Sequence, residues 1–117
     1  MPKIKAHITI RSNEDKINYD VNCIYQEDLN KITYKEPDNT TTTYDYNENI
    51  LIRNNDNLTM NYKFIKDEET TGNIYIKDLN KSMDILIKTK NLVQDKKNIE
   101  IEYIIEDNKF KYSIEVK

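Results

Sequence analysis

The sequence predicts an all-β protein in which residues 1–117 form a single antiparallel β-barrel of about eight to ten strands. Three observations support this. Apolar and polar residues alternate along most of the chain, as in Ile4–Ile10 and Leu58–Phe64, so each strand has one buried and one hydrated face. Clusters rich in Asn and Asp separate these runs at intervals of about 8–12 residues. The net charge is only −3, and apolar residues are spread evenly, which argues against disorder.

The strands follow one another along the chain with no room for a second domain. The segment Leu79–Leu92 has partial helical spacing, but Ile85 falls outside that stripe and Thr89 is a poor helix former, which favours a strand. Clear alternation covers residues 4–10, 17–25, 58–64, 83–87, 99–105 and 110–116, and weaker runs cover 29–35, 40–46, 49–53 and 73–79.

Asn and Asp are expected to take the turn positions that glycine often takes, because the chain has one glycine, Gly72. Both residue types tolerate left-handed backbone angles and hydrogen-bond their own backbone. Pro37, within Glu36–Asn39, suits the second position of a type I turn.

Closure of the sheet is expected because open edges are aggregation hazards and the chain has only two prolines to interrupt them. The alternation places about 25 large side chains on one face. These side chains must be covered, and a barrel covers them while removing the edges. A β-sandwich is the alternative architecture.

The sequence resembles the YwiB-like family of small bacterial proteins, which are calycin-like or lipocalin-like β-barrels of unassigned function. The resemblance covers nearly the whole chain and rests on Ile4–Arg11, Tyr62–Phe64 and Tyr75–Thr89. The turn Asp78–Lys81 departs from the Pro and Gly that the family usually has there. The resemblance implies the fold and carries over no catalytic residue.

The candidate ligand-binding residues are the aromatic and Met side chains expected inside the barrel. An apolar interior with scattered tyrosine hydroxyls suits a small, largely apolar ligand in a cavity of a few hundred Å³, open at one end. A barrel filled by its own side chains is the alternative, since Ile and Tyr are bulky. The candidates are Tyr19, Tyr44, Tyr46, Met60, Tyr62, Phe64, Tyr103 and Tyr112.

No enzyme activity, cofactor or metal is expected. His7 is the only histidine and should point outward, and Cys23 shares a face with apolar residues and has acidic neighbours in sequence. A catalytic base needs a positioned partner, and a reactive thiol needs an electropositive setting. One glycine leaves no Gly-rich phosphate loop.

A protein-interaction role is the alternative function, through a homodimer or through strand addition to an exposed sheet edge. The segment Thr40–Thr43, followed by Tyr44–Tyr46, is expected to form an edge or rim strand because threonine and tyrosine favour strands.

Nucleic-acid and membrane partners are not expected. The acidic balance opposes a phosphate-binding surface, although Lys63 lies between two aromatics. No apolar run reaches the length of a membrane helix, and no apolar stretch of signal-peptide length follows Met1–Lys5. A single cysteine is usual in a cytoplasmic protein, the expected location.

Overall fold

A computed structural model describes residues 3–117 and confirms the all-β prediction, including a strand rather than a helix after Leu79. Ten strands account for most of these residues. They are β1 (Lys3–Ser12), β2 (Asp15–Gln26), β3 (Lys31–Lys35), β4 (Thr41–Asp45), β5 (Ile50–Asn54), β6 (Leu58–Lys63), β7 (Glu69–Ile76), β8 (Lys81–Asp95), β9 (Asn98–Ile105) and β10 (Asn108–Val116).

The strands form one closed antiparallel barrel, as predicted. Each strand pairs with the next along the chain, and β1 closes the ring by pairing with β10 from Ala6 opposite Val116 to Ser12 opposite Phe110. Inward-facing residues meet inward-facing residues in this register, so the alternating patterns of the two strands agree.

Because successive strands run in opposite directions, the turns fall at two ends of the barrel. We name them the upper end and the lower end. The upper end carries the turns at 13–14, 36–40, 55–57, 77–80 and 106–107, and the lower end carries those at 27–30, 46–49, 64–68 and 96–97.

Asn and Asp take six of the eight left-handed positions among residues 3–117, as expected, and Lys and Glu take the other two. The residues with positive φ are Asn13, Asn30, Asn39, Asn49, Asp67, Asn80, Lys96 and Glu106, and none of them is glycine. Pro37 holds the second position of a turn in which the Asn39 N–H donates to the Glu36 carbonyl at 2.9 Å.

Gly72 is required by packing rather than by backbone conformation. A Cβ atom there would lie 2.8 Å from Ile87 Cδ1, 3.1 Å from the Asn61 carbonyl oxygen and 3.1 Å from Tyr62 Cδ1. The absent side chain therefore lets β7 approach β6 and β8 closely.

Two expectations about the barrel wall are wrong. The edge alternative for Thr40–Thr43 is wrong, since β4 pairs with β3 on one side and β5 on the other, although Thr40 and Thr41 do lie at the upper rim of the barrel. The inner face is also not wholly apolar, because the register that places Leu51 inside places Arg53 there as well, opposite Thr42.

Candidate binding site at the upper end of the barrel

The eight predicted ligand-binding residues all belong to the packed interior. Tyr19 and Met60 are half-buried, whereas the other six are buried. The six are Tyr44, Tyr46, Tyr62, Phe64, Tyr103 and Tyr112.

The lower end is closed by tyrosines whose hydroxyl groups all have partners. Tyr46 donates to the Lys97 carbonyl at 2.8 Å, and Tyr44 donates to Asn49 Oδ1 at 2.8 Å. Tyr25 donates to Asn30 Oδ1 at 2.7 Å, and Lys97 Nζ lies 4.5 Å from the centroid of its ring. The β8–β9 turn therefore covers this end.

Aromatic side chains fill the middle of the barrel. The Tyr34 and Tyr112 hydroxyls lie 2.6 Å apart, and the centroids of the Phe64 and Tyr103 rings lie 4.9 Å apart. The expected hollow running through the barrel is therefore wrong for this part of the interior. A groove of about 490 Å³ instead lies along β9 and β10, next to Ile104.

The upper end leaves inward-facing apolar side chains in contact with solvent. Ile17 on β2 is 60% exposed and Met83 on β8 is 49% exposed. Register places Met83 beside Ile74, Ile74 beside Met60, and Met60 beside Arg53, so one inward row crosses four strands. We name the inward side chains at this end, Ile17, Tyr19, Arg53, Met60, Ile74 and Met83, the mouth.

A buried ion pair lies at the base of the mouth. Arg53 donates from Nε to Glu36 Oε2 and from Nη2 to Glu36 Oε1, both at 2.8 Å. The Thr42 hydroxyl also donates to Glu36 Oε2, at 2.6 Å. Burial alone would lower the pKa of Arg53, but the hydrogen bonds and charge of Glu36 raise it. The Arg53 side chain remains 28% exposed, and its Nη1 has no hydrogen-bond partner among residues 3–117.

The Tyr19 hydroxyl is buried without a hydrogen-bond partner among the described residues. Burial raises its pKa, and the neighbouring Tyr34 and Glu36 raise it further, so the hydroxyl keeps its proton. A buried unpaired hydroxyl is destabilising unless a water or a ligand satisfies it. Tyr19 therefore offers a donor at the mouth.

Sequence reasoning missed Glu36, Thr42 and Arg53 as interior residues. Period-two spacing did contain the signal, because Arg53 lies two residues after Leu51 and Glu36 lies two residues after Tyr34. A polar residue in an inward position indicates a partner inside the barrel. The partner itself could not be identified without the strand order.

His7 and Cys23 lie apart from the mouth residues. His7 Nδ1 lies 2.8 Å from Asp20 Oδ1 on the outer surface, as the outward orientation predicts. Cys23 is fully buried, and burial raises the pKa of its thiol to about 11. This is the small buried hydrophobe that the sequence predicts.

Comparison with known proteins supports the fold alone. No protein-family model and no curated protein matches the chain. Among solved structures, the chain is similar to the YwiB protein from Bacillus subtilis, with a TM-score of 0.61 and 14% identity over 98% of this chain and 92% of that chain. The structure is consistent with the resemblance to YwiB-like barrels. No helix in residues 3–117 is long and apolar enough to cross a bilayer.

Proposed function

We propose that this protein is a non-enzymatic binding barrel that takes a small, largely apolar molecule into its mouth. The observation that carries the proposal is the solvent exposure of Ile17 and Met83, which face inward from strands separated by three others in the ring. Inward-facing apolar side chains that stay in contact with solvent are the surface an apolar ligand would cover.

The polar groups at the mouth favour a neutral, hydrogen-bond-accepting head group on that molecule. The Tyr19 hydroxyl and Arg53 Nη1 are both donors, and neither has a hydrogen-bond partner among residues 3–117. Glu36 already balances the charge of Arg53. A carbonyl or ester oxygen therefore suits these donors better than a carboxylate, which Glu36 would repel.

A fluorescence titration with N-phenyl-1-naphthylamine, a neutral apolar probe, tests the binding. We expect a saturable increase with one probe per chain. Met83→Glu and Ile17→Glu should each weaken binding about tenfold or more, equivalent to about 1.4 kcal/mol, because they place a charge against the probe. Absence of saturable binding would contradict the proposal.

Leu86→Glu is the matched control. Leu86 is also on β8 and is 58% exposed, but it faces outward, because it lies one residue from the inward-facing Ile87. It should leave the titration unchanged. Equal losses in Met83→Glu and Leu86→Glu would show that the probe binds elsewhere.

A competition experiment tests the head group. Methyl decanoate should displace the probe from the wild-type protein more effectively than decanoate does. Tyr19→Phe should reduce the affinity for methyl decanoate about three- to tenfold, the effect of losing one hydrogen bond, and leave the affinity for the probe unchanged.

A further inference from the structure

The strand pairing around the barrel is incomplete on the side of β2 that faces β3. Pairs with β1 run from Asp15 to Ile24, whereas pairs with β3 cover only Ile24 to Gln26. Outside the ladders, residues 15–22 take part in no backbone hydrogen bond with the rest of residues 3–117. Since alternate residues of a strand direct their N–H and C=O groups to each side, this segment presents a row of unpaired groups.

The stretch of β8 beyond β7 is covered at Thr89, whereas residues 15–22 of β2 have no such cover among residues 3–117. Beyond β7, the Thr89 carbonyl accepts from the Asp67 N–H and the Thr89 N–H donates to the Glu68 carbonyl. A bulge between Thr89 and Asn91 then bends the strand. Residues 15–22 contain no proline or glycine and pair with β1 without irregularity. They retain the straight geometry that accepts another strand.

We propose that two copies of this chain pair through residues 15–22, antiparallel, about a two-fold axis at Asn18. A two-fold axis that relates two antiparallel edge strands is perpendicular to the sheet and leaves the inner faces of both copies on the same side. Residues that lie opposite each other must then face the same way, so the axis passes through a pair of identical residues. With Asn18 opposite Asn18, each Lys16 lies opposite Asp20 of the other copy. Each Ile17 then lies opposite Tyr19 of the other copy.

The outer-face charges favour this register. Within one barrel, Lys16 lies opposite Arg11, a like-charge pair, and neither residue takes part in an ion pair among residues 3–117. Asp20 is exposed, and its contacts with His7 and Lys117 use only Oδ1. Its Oδ2 atom is therefore available to Lys16 of the second copy, and opposite charges across a strand pair are stabilising.

Neighbouring registers lack this match. An axis at Asp20 would put the two Asp20 side chains opposite each other, and an axis at Ile17 would put Glu14 opposite Asp20. The Asn18 register also places Ile17, the most exposed inward side chain of β2, beside an aromatic ring of the second copy at the side of the mouth. Pairs of β-branched and aromatic residues stabilise sheets.

A disulfide at the axis tests the geometry. Directly opposite residues have Cα atoms about 4.5–5.5 Å apart, within the range that a disulfide spans. Asn18→Cys should therefore form a covalent dimer under mild oxidation. Asn22→Cys is the matched control, because its two copies would be about 27 Å apart in this register. The native Cys23 is buried. Equal cross-linking of the two variants, or none in Asn18→Cys, would overturn the proposal.

Sedimentation over a range of concentrations tests the charge pairing. Wild-type protein should show a monomer–dimer equilibrium, and Lys16→Glu should raise the dissociation constant about tenfold or more, since it makes two attractive pairs repulsive. The double variant Lys16→Glu/Asp20→Lys should dimerise again, because the two opposite charges face each other with their positions exchanged. Lys35→Glu, on the exposed outer side of β3, should have no effect. A wild-type protein that stays monomeric at about 100 μM, or failure of the restoration, would overturn the proposal.

Discussion

The two ends of the barrel differ in the hydrogen bonding of their tyrosine hydroxyl groups. At the lower end, the hydroxyls of Tyr25, Tyr44 and Tyr46 each have a protein partner. At the upper end, the Tyr19 hydroxyl is buried without a partner in the described part of the chain, next to an ion pair that is partly open to solvent. The difference indicates that the hydroxyls at the lower end contribute stability, whereas the Tyr19 hydroxyl at the upper end does not have a partner among residues 3–117.

The ion pair should give the largest effect at the upper end. Glu36→Leu removes the acceptor of Arg53 and Thr42 and leaves a largely buried guanidinium unpaired. We expect a loss of about 2–4 kcal/mol in the free energy of unfolding, measured by urea denaturation. Combining it with Arg53→Met should recover most of the loss. A double variant as unstable as the single one would contradict this interpretation of the pair.

Gly72 lies between the two ends and should give the next largest effect. Gly72→Ala places a methyl group against the Asn61 carbonyl and the Tyr62 ring, at distances that require both to move. We expect a loss of about 1–3 kcal/mol in unfolding experiments. Thr71→Ala, on the exposed outer face of the same strand, should change stability by less than about 1 kcal/mol.

A pair of Tyr→Phe substitutions compares the two ends directly. Tyr46→Phe leaves the Lys97 carbonyl without its partner and should cost about 1–2 kcal/mol. Tyr19→Phe removes a hydroxyl that has no hydrogen-bond partner from Lys3 to Lys117, so we expect no loss or a small gain. Thermal and urea unfolding of both variants measure the contrast. Equal losses of stability in the two variants would mean that the Tyr19 hydroxyl makes a stabilising hydrogen bond at the upper end.

Alkaline pH should destabilise the protein through Cys23, which lies where β2 separates from β3. Burial raises the pKa of Cys23 to about 11, above its value in the unfolded chain. The stabilisation that this pKa difference gives the folded state is therefore complete below about pH 8.5 and is lost as the pH rises towards 11. Between pH 9 and 10, the wild type should lose up to about 1 kcal/mol per pH unit more than Cys23→Ala. Parallel stability curves would indicate that solvent reaches the thiol.

Much of the fold follows from period-two spacing, because burial on one face of a strand dictates which residue types alternate. The strand runs, the asparagine turns and the barrel could be predicted in this way. The ion pair between Glu36 and Arg53 could not, since the two residues are brought together by β3, β4 and β5 lying side by side. The free edge of β2 could not either, because the extent of a ladder depends on where the neighbouring strand ends.

The join between β1 and β10 has a consequence for how the protein folds. Every other ladder connects strands that are neighbours along the chain, so hairpins can assemble locally as the chain emerges. Ala6 meets Val116 only when the last strand is available, and until then both of these strands expose an unpaired side. We therefore expect the final ring-forming step to be the slow one, and dilute conditions should favour correct refolding over intermolecular association.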